Sequence, residues 1–146
     1  MKHSLKTTML GPPPTDEDAQ ALIAYLASLR PAPNPRRYAD MRRTDAEARG
    51  EQIFSGPKGG CATCHTAPHS TDGEVHDLGM GGSNDTYIGF NTPTLTGVFR
   101  KVLLLHDGSA SSLSELLKGV HAPERVAGSQ LTDSELADLI AYLKTL

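Results

Sequence analysis

The sequence predicts a mainly α fold in which long irregular loops wrap around a bound prosthetic group. Apolar residues recur at helical spacing near both ends of the 146-residue chain, and a stretch rich in Gly, Ser and Thr covers residues 66–99. Aromatic residues make up only 5% of the chain, and there is no Trp. A core of this size is short of apolar bulk, which a buried cofactor would supply.

One cysteine motif identifies the cofactor. Cys61 and Cys64 have the spacing C-x-x-C, and His65 follows at once. In this pattern each thiol bonds to a haem vinyl group as a thioether, and the adjacent imidazole binds the iron as proximal ligand. A thioredoxin-like redox pair and half of a zinc site are the alternatives. Because the chain has no other cysteine, and Gly59 and Gly60 ahead of the motif indicate a loop, we predict one covalent haem c per chain.

An internal repeat relates the two amphipathic segments. Residues 15–29 and 132–146 are identical at eight of 15 positions, with an offset of 117. Both carry an apolar helical face, and Thr132 with Glu135 predicts a capping box at the start of the second one. Two amphipathic helices can look alike through composition alone, but the shared Thr-Asp and Tyr-Leu pairs favour a duplication.

The repeat suggests a division of the chain into three parts. We expect residues 1–30 to be the closing segment of a preceding, truncated cytochrome c unit. Residues 31–43 are rich in Pro and Arg and are expected to form a linker, because alternating prolines favour extended backbone. Residues 44–146 are then expected to form a cytochrome c domain.

The start of this domain resembles a known helix. Thr44 and Glu47 predict a second capping box, with a helix running to about Phe54. Gly50 in its middle costs about 1 kcal/mol relative to Ala, so we expect a packing reason. With the haem motif that follows, this segment resembles the N-terminal helix of class I cytochromes c. The resemblance implies a class I cytochrome c fold, in which a small residue allows a close crossing with the C-terminal helix and Tyr142 packs against Phe54.

The rest of the domain resembles a narrower family. Residues 90–98 read F-N-T-P-T-L-T-G-V and residues 105–109 read L-H-D-G-S. In this order the motifs resemble the C-terminal haem domain of bacterial di-haem cytochrome c peroxidases and MauG-type proteins. That family usually has Thr-x-Pro ahead of H-D-G, as part of a calcium site, whereas residues 101–103 here are Lys-Val-Leu. The resemblance implies that His106 is a loop residue near the haem edge rather than an iron ligand.

The same resemblance bears on the sixth iron ligand. In these families a Met or a Tyr follows a helix that corresponds to the one predicted here over residues 112–120. At that place this chain has His121, which implies bis-histidine coordination. Met80 in the glycine-rich loop, which we expect at the surface, and an open sixth position are the alternatives. His69 and His76 are expected to be surface or propionate-side residues.

Two classes of function follow from the coordination. With both axial positions filled, the domain transfers electrons to a redox partner protein or an adjacent haem domain. The alternative is the haem domain of a di-haem peroxidase or MauG-type oxidase, active only with its missing second haem domain. With a single attachment motif, this chain by itself is not expected to be a complete enzyme.

Composition limits the kinds of partner and the cellular location that we expect. The formal net charge is −3, with no basic stripe for nucleic acid and no apolar run long enough for a membrane span. Residues 1–6 are not followed by the apolar core of a signal peptide. We nevertheless expect a periplasmic or extracellular location, because bacteria attach haem to this motif outside the cytoplasm.

Overall fold

The computed structural model describes residues 11–37 and 42–146, which divide into two units between Ala32 and Pro33. Residues 1–10, where the sequence has no apolar signal core, and residues 38–41 of the predicted linker lie outside the described residues. The predicted linker therefore begins in the first unit and is described only in part.

In the first unit the described residues contain one helix, α1, which spans Asp16–Ser28. It begins with a complete capping box. The Thr15 hydroxyl accepts from the Asp18 amide at 3.1 Å, and the Asp18 carboxylate accepts from the Thr15 amide at 3.0 Å. The helix predicted from the repeat is confirmed, although Ile23 and Tyr25 on it are exposed.

The second unit contains four helices and one small sheet among its described residues. In chain order these are α2 (Asp45–Ser55), β1 (Val75–His76), β2 (Phe90–Asn91), α3 (Leu113–Lys118), α4 (Pro123–Ala127) and α5 (Asp133–Leu143), with 3₁₀ turns at Cys61–Thr63 and Val98–Arg100. The two strands are antiparallel, with Val75 opposite Asn91 and His76 opposite Phe90. The mainly α fold with long irregular segments is confirmed.

Helices α2 and α5 cross at Gly50, and this crossing explains a glycine inside a helix. A Cβ at Gly50 would lie 2.0 Å from the carbonyl oxygen of Asp138 and 2.8 Å from the Cβ of Tyr142. One turn further on, the rings of Phe54 and Tyr142 pack with centroids 5.3 Å apart and planes tilted by 56°. Leu139 beside them is fully buried. The predicted close crossing and aromatic pair are both confirmed.

Two ion pairs border this crossing. The Arg49 guanidinium donates to both oxygens of Asp138 at 2.7 and 3.0 Å, and Lys58 donates to Glu135 at 2.5 Å. The bond from Arg49 lowers the pKa of Asp138, whose carboxylate is otherwise buried beside the helix contact. Because the Arg49 side chain is more than half exposed, solvent screens the ion pair, and we expect it mainly to fix the register of the two helices.

Two helices differ from the prediction. Helix α3 ends at Lys118 instead of residue 120, because Gly119 leaves the helical conformation (φ −108°, ψ −127°). Helix α4 was not predicted from the sequence. Pro123 lies at its start, where a missing amide proton costs nothing, and Gly128 with φ +71° ends it.

The described residues of the second unit form two clusters of buried apolar side chains. One joins α2, α3 and α5, and the other surrounds Val98, Leu104 and Ala110. Members of both clusters line one internal cavity, so helix packing sets the position of its walls. Within the described ranges, no helix is long and apolar enough to cross a lipid bilayer.

Candidate haem-binding site

The C-x-x-C-H motif lies on a tight turn after α2. Gly60 has a left-handed backbone (φ +66°) and starts the first 3₁₀ turn, and the amide of His65 donates to the carbonyl of Cys61 at 2.9 Å. A Cβ at Gly60 would also lie 2.8 Å from the Cβ of Ala127, so a glycine is required on two grounds. The turn brings Cys61, Cys64 and His65 together in the wall of one cavity.

This cavity is apolar and large enough for an organic cofactor. Its volume is about 300 Å³. The apolar lining includes Leu95, Val98, Leu104, Leu116, Leu117 and Val126. Cofactor sites in proteins are typically concave and apolar, with a few polar groups that fix orientation. The polar groups here include two histidines from distant parts of the chain, His65 and His121.

The orientation of His65 is set by one hydrogen bond. Its Nδ1 lies 3.0 Å from the carbonyl oxygen of Ser70. A carbonyl can only accept, so Nδ1 carries the proton and Nε2 has a free lone pair for a metal. Ser70 itself has an unusual left-handed backbone (φ +54°), which forms part of the turn that directs this carbonyl to the imidazole.

His121 lines the same cavity, and its buried Nδ1 has no hydrogen-bond partner among the residues that the structure describes. Burial, and secondarily the nearby His65, lower the pKa of His121. Both effects favour the neutral imidazole, which is the form that binds metals. A buried, unpartnered imidazole nitrogen is costly in a protein interior, and a bond to a metal would remove that cost.

The separation of the two imidazoles fits a single metal between them. The ring centroids of His65 and His121 are 6.3 Å apart, and the ring planes are at 89°. Two imidazoles bonded at about 2 Å to opposite sides of one metal have centroids about 6 Å apart, because a ring nitrogen lies about 1 Å from its centroid. The residues present therefore fit a haem group, which Cys61 and Cys64 would attach and which His65 and His121 would hold through the iron.

The two alternatives for the cysteines fit the structure less well. Burial raises the pKa of the Cys61 thiol to about 11, whereas reactive dithiol motifs have lowered thiol pKa values. Among the described residues, the group of three or more metal-binding side chains is Cys64, Asp72 and His76, which omits Cys61. That arrangement is not the closed set of four ligands that a structural zinc site requires.

Four further predicted residues can be located. His69 is exposed, as expected for a surface residue. His76 and His106 both line the cavity, and their predicted positions near the haem edge or the propionates stay predictions. Met80 also lines the cavity and is partly buried, so the surface position expected from its glycine neighbours is wrong. The short β1–β2 sheet draws this loop inward, a contact that loop composition does not encode.

Sequence reasoning missed two parts of the site. The carbonyl of Ser70 orients His65, and no residue type marks a backbone acceptor of this kind. Helix α4 closes the cavity beside His121 and contributes Pro123 and Val126 to its lining. Helix α4 could have been predicted from the sequence, because proline is common at the first position of a helix and glycine just after its last, and here the two lie five residues apart.

Known proteins resemble this chain in sequence and in fold. The family described as cytochrome c matches residues 47–146. Hydrazine synthase subunit gamma of Kuenenia stuttgartiensis is 31% identical over 170 residues, covering 87% of this chain and 48% of that protein. The chain thus spans about half the length of this relative.

Two solved structures resemble the fold. A structure of Kuenenia stuttgartiensis hydrazine synthase under xenon pressure matches with a TM-score of 0.80 and 26% identity, over 99% of this chain and 60% of that one. A MauG-like protein associated with microbial copper homeostasis matches with a TM-score of 0.63 and 23% identity, over 76% and 49%. At that identity the second likeness concerns the fold alone.

The family match covers more than half of the chain and includes the C-x-x-C-H turn, the cavity and helix α5. Family membership implies a covalently bound haem c and haem-based electron transfer. By sequence and by fold, this chain belongs to the cytochrome c family.

Proposed function

We propose that this chain carries one haem c, attached through Cys61 and Cys64, with His65 and His121 as axial iron ligands, and that it transfers single electrons. The observation that carries the proposal is the 6.3 Å separation of the two imidazoles across an apolar cavity. Haem iron supplies a one-electron couple between ferrous and ferric states.

The protein residues around the site favour transfer over catalysis. His65 is held by the Ser70 carbonyl, and the cavity walls are mainly aliphatic, which limits water near the cofactor. Two histidine ligands leave no open coordination position for peroxide. A second imidazole in place of a thioether also lowers the reduction potential, because methionine ligation raises it.

Exposed apolar side chains near the cavity support docking of a redox partner protein or an adjacent haem domain. Leu103 lines the cavity and is 62% exposed, and its neighbour Val102 is 78% exposed. Tyr87 and Ile88, just ahead of β2, are 73% and 80% exposed. An exposed apolar side chain that lines the cavity, as Leu103 does, would provide part of the small apolar contact typical of transient electron-transfer partners. We place this activity in the periplasm or outside the cell, where the motif is matured.

A second candidate function is the haem domain of a di-haem peroxidase or MauG-type oxidase, similar to the C-terminal domain of that family. The segment that contains α1 supports it, because residues 15–29 and 132–146 are identical at eight of 15 positions and both begin with a capping box. In this candidate, residues 1–30 close a preceding cytochrome c unit, residues 31–43 link the two, and residues 44–146 form the haem domain. The exposed apolar residues of α1 would then pack against the rest of that unit.

The optical spectrum of the matured protein tests the ligand assignment. We expect low-spin bands in both oxidation states that do not change when cyanide or peroxide is added. The variant His121→Ala should show a high-spin ferric spectrum that cyanide shifts, because one axial position is then open. His69→Ala is the matched control, since it removes an exposed histidine outside the cavity and should leave the spectrum unchanged.

Two results separate the candidates. If His121→Ala retains the wild-type low-spin spectrum while Met80→Leu loses it, the distal ligand is Met80. If the wild-type protein is high-spin and reacts with peroxide, the sixth position is open and the peroxidase-type function is favoured.

A further inference from the structure

Exposed apolar side chains lie on the loops that border the haem cavity. Single exposed apolar residues are common on proteins, whereas a contiguous group of them typically marks an interaction site. The members of this group are Val75 on β1, Tyr87 and Ile88 ahead of β2, and Val102 and Leu103 after the second 3₁₀ turn. With the neighbouring carboxylates they make up one surface, the loop face, whose acidic members are Glu74, Asp77, Asp85 and Asp107.

One end of the loop face is held together around the β1–β2 sheet. A Cβ at Gly89 would lie 2.9 Å from Cγ1 of Val75, so Val75 packs against the segment that carries Ile88. A Cβ at Gly81 would lie 3.5 Å from the carbonyl oxygen of Tyr87. The two glycines therefore let these loops approach closely enough to form one surface.

The other end joins this surface through His106. The Nε2 of His106 lies 3.0 Å from an oxygen of Asp85, and its ring stacks on that of Phe90. Leu103 packs beside Gly108, where an added Cβ would lie 3.4 Å from its Cδ1. Phe90, Leu103 and His106 all line the haem cavity, and Leu103 is exposed, so the cavity wall reaches solvent at the loop face.

The loops that build this surface carry an excess of negative charge. Residues 66–111 contain two cations, Arg100 and Lys101, against five carboxylates, which are Asp72, Glu74, Asp77, Asp85 and Asp107. Arg100 stays close to its own turn, because a Cβ at Gly97 would lie 3.4 Å from its Nε. Carboxylates are ionised at neutral pH, so the surface as a whole is acidic.

The ion pairs differ between the helix crossing and the loop face. At the crossing, Asp138 is balanced by the permanent charge of Arg49. On the loop face, the ion-pair partner of Asp85 is His106, and a histidine balances a carboxylate only in its protonated form. The negative charge of the loop face is therefore available to a positively charged partner.

We propose that the loop face is the docking site for a basic one-electron carrier protein, whose Lys and Arg side chains surround a small apolar patch at the edge of its own cofactor. The inference deepens the proposed electron-transfer function and rests on it. The carboxylates attract the basic partner from a distance, and the apolar side chains form the contact nearest the cavity. One electron passes between the haem and the carrier, and no covalent bond forms or breaks.

Two small oxidants of opposite charge test the electrostatic part. The reduced, matured chain is mixed by stopped flow with tris(phenanthroline)cobalt(III), a trivalent cation, or with ferricyanide, a trivalent anion. At about 0.01 M salt the Debye length is about 30 Å, and we expect Glu74→Lys to lower the rate constant of the cation and to raise that of the anion, each roughly tenfold. At about 1 M salt, where the Debye length is about 3 Å, both effects should disappear.

Asp45→Lys is the matched control for this substitution. It makes the same change in net charge at an exposed position, but at the start of α2, and the length of that helix separates it from the haem-attachment turn. Its effect on both rate constants should be severalfold smaller than that of Glu74→Lys.

A basic haem protein tests the apolar part. The probe is mitochondrial cytochrome c, and the measurement is its rate constant of electron transfer with the matured chain at low salt. Ile88→Ser should lower this rate constant severalfold, because the apolar contact is lost. Ile23→Ser is the matched control, since it removes an exposed isoleucine from α1, and it should leave the rate constant unchanged.

Several outcomes would overturn the proposal. Equal effects of Glu74→Lys and Asp45→Lys on the two oxidants would do so, and so would a rate constant with mitochondrial cytochrome c that Ile88→Ser leaves unchanged. If an adjacent haem domain covers the loop face instead, none of these substitutions will alter the rate constants, which also contradicts the proposal. Failure of the proposed function is distinguishable, because a chain without a reducible haem reacts with neither oxidant, whereas failure of docking alone leaves both reactions in place.

Discussion

Replacing Gly50 with alanine tests the helix crossing on which the cavity depends. The added Cβ would meet the carbonyl oxygen of Asp138 at 2.0 Å and the Cβ of Tyr142 at 2.8 Å, and the first of these contacts is to backbone, which cannot rotate away. Helices α2 and α5 must therefore move apart by about 1 Å. Each side-chain contact between them that widens by this distance loses a quarter to a half of its dispersion energy.

The net effect is the difference between two terms. Overpacking of a well-packed contact costs about 1–3 kcal/mol or more, and alanine regains about 1 kcal/mol of helix propensity over glycine. The added Cβ meets a backbone carbonyl, and the Phe54–Tyr142 pair lies one turn away. We therefore expect an overpacking cost at the upper end of its range and a net loss of about 2 kcal/mol in the free energy of unfolding. For a domain of this size that lowers Tm by about 10 °C.

The assay is thermal and urea unfolding of the haem-loaded protein, followed by circular dichroism. Gln52→Ala is the control, because Gln52 lies on the exposed side of the same helix and its replacement should change stability by less than about 0.5 kcal/mol. A Gly50→Ala protein as stable as the wild type would refute the reasoning, since it would mean that the two helices do not approach as closely as described.

Two further predictions concern the N-terminal cap of α5 and the stability of the protein at low pH. Thr132→Ala removes the side-chain acceptor of the capping box of α5 and should lower the free energy of unfolding, measured in urea, by about 1 kcal/mol. Ser134→Ala in the same turn is the control and should have little effect. Equal losses in the two variants would contradict the capping role of Thr132. The carboxylates of Asp72 and Glu135 have pKa values near 2, held down chiefly by the Glu74 amide and by Lys58 respectively. Because both pKa values are lower in the folded than in the unfolded protein, the stability that the two carboxylates contribute is present above about pH 4 and is lost as pH falls towards about 2. Acid titration followed by circular dichroism measures this loss. Glu135→Gln should make the loss smaller, and an acid profile identical to that of the wild type would contradict the stabilising role of Glu135.

Features that depend on local spacing could be predicted from the sequence. The capping boxes that precede α2 and α5, at Thr44 and Thr132, were predicted, because such a cap needs only a hydroxyl and an acid three residues apart. The role of Gly50 was also predictable, because a glycine in a helix interior is unfavourable unless another backbone approaches it.

Features that depend on contacts between distant segments were harder to predict. Met80 was expected at the surface, since glycine neighbours indicate a loop but not the side to which that loop folds. The stack of Phe90 on His106 and the bond from His65 to the Ser70 carbonyl have no signature in residue spacing. His121 was singled out only because a resemblance placed a ligand after helix α3, and its ligand role is still a proposal.

The proposed electron transfer depends on covalent attachment of haem to this chain. The most direct measurement is the mass of the matured, purified chain, combined with its absorption spectrum after extraction with acidified acetone, which removes haem that is not covalently bound. We expect the chain mass to increase by one haem and the colour to remain with the protein, and a Cys61→Ala, Cys64→Ala double variant to lose both. A wild-type chain of unmodified mass that becomes colourless on extraction, or that carries zinc at its thiols, would contradict the claim.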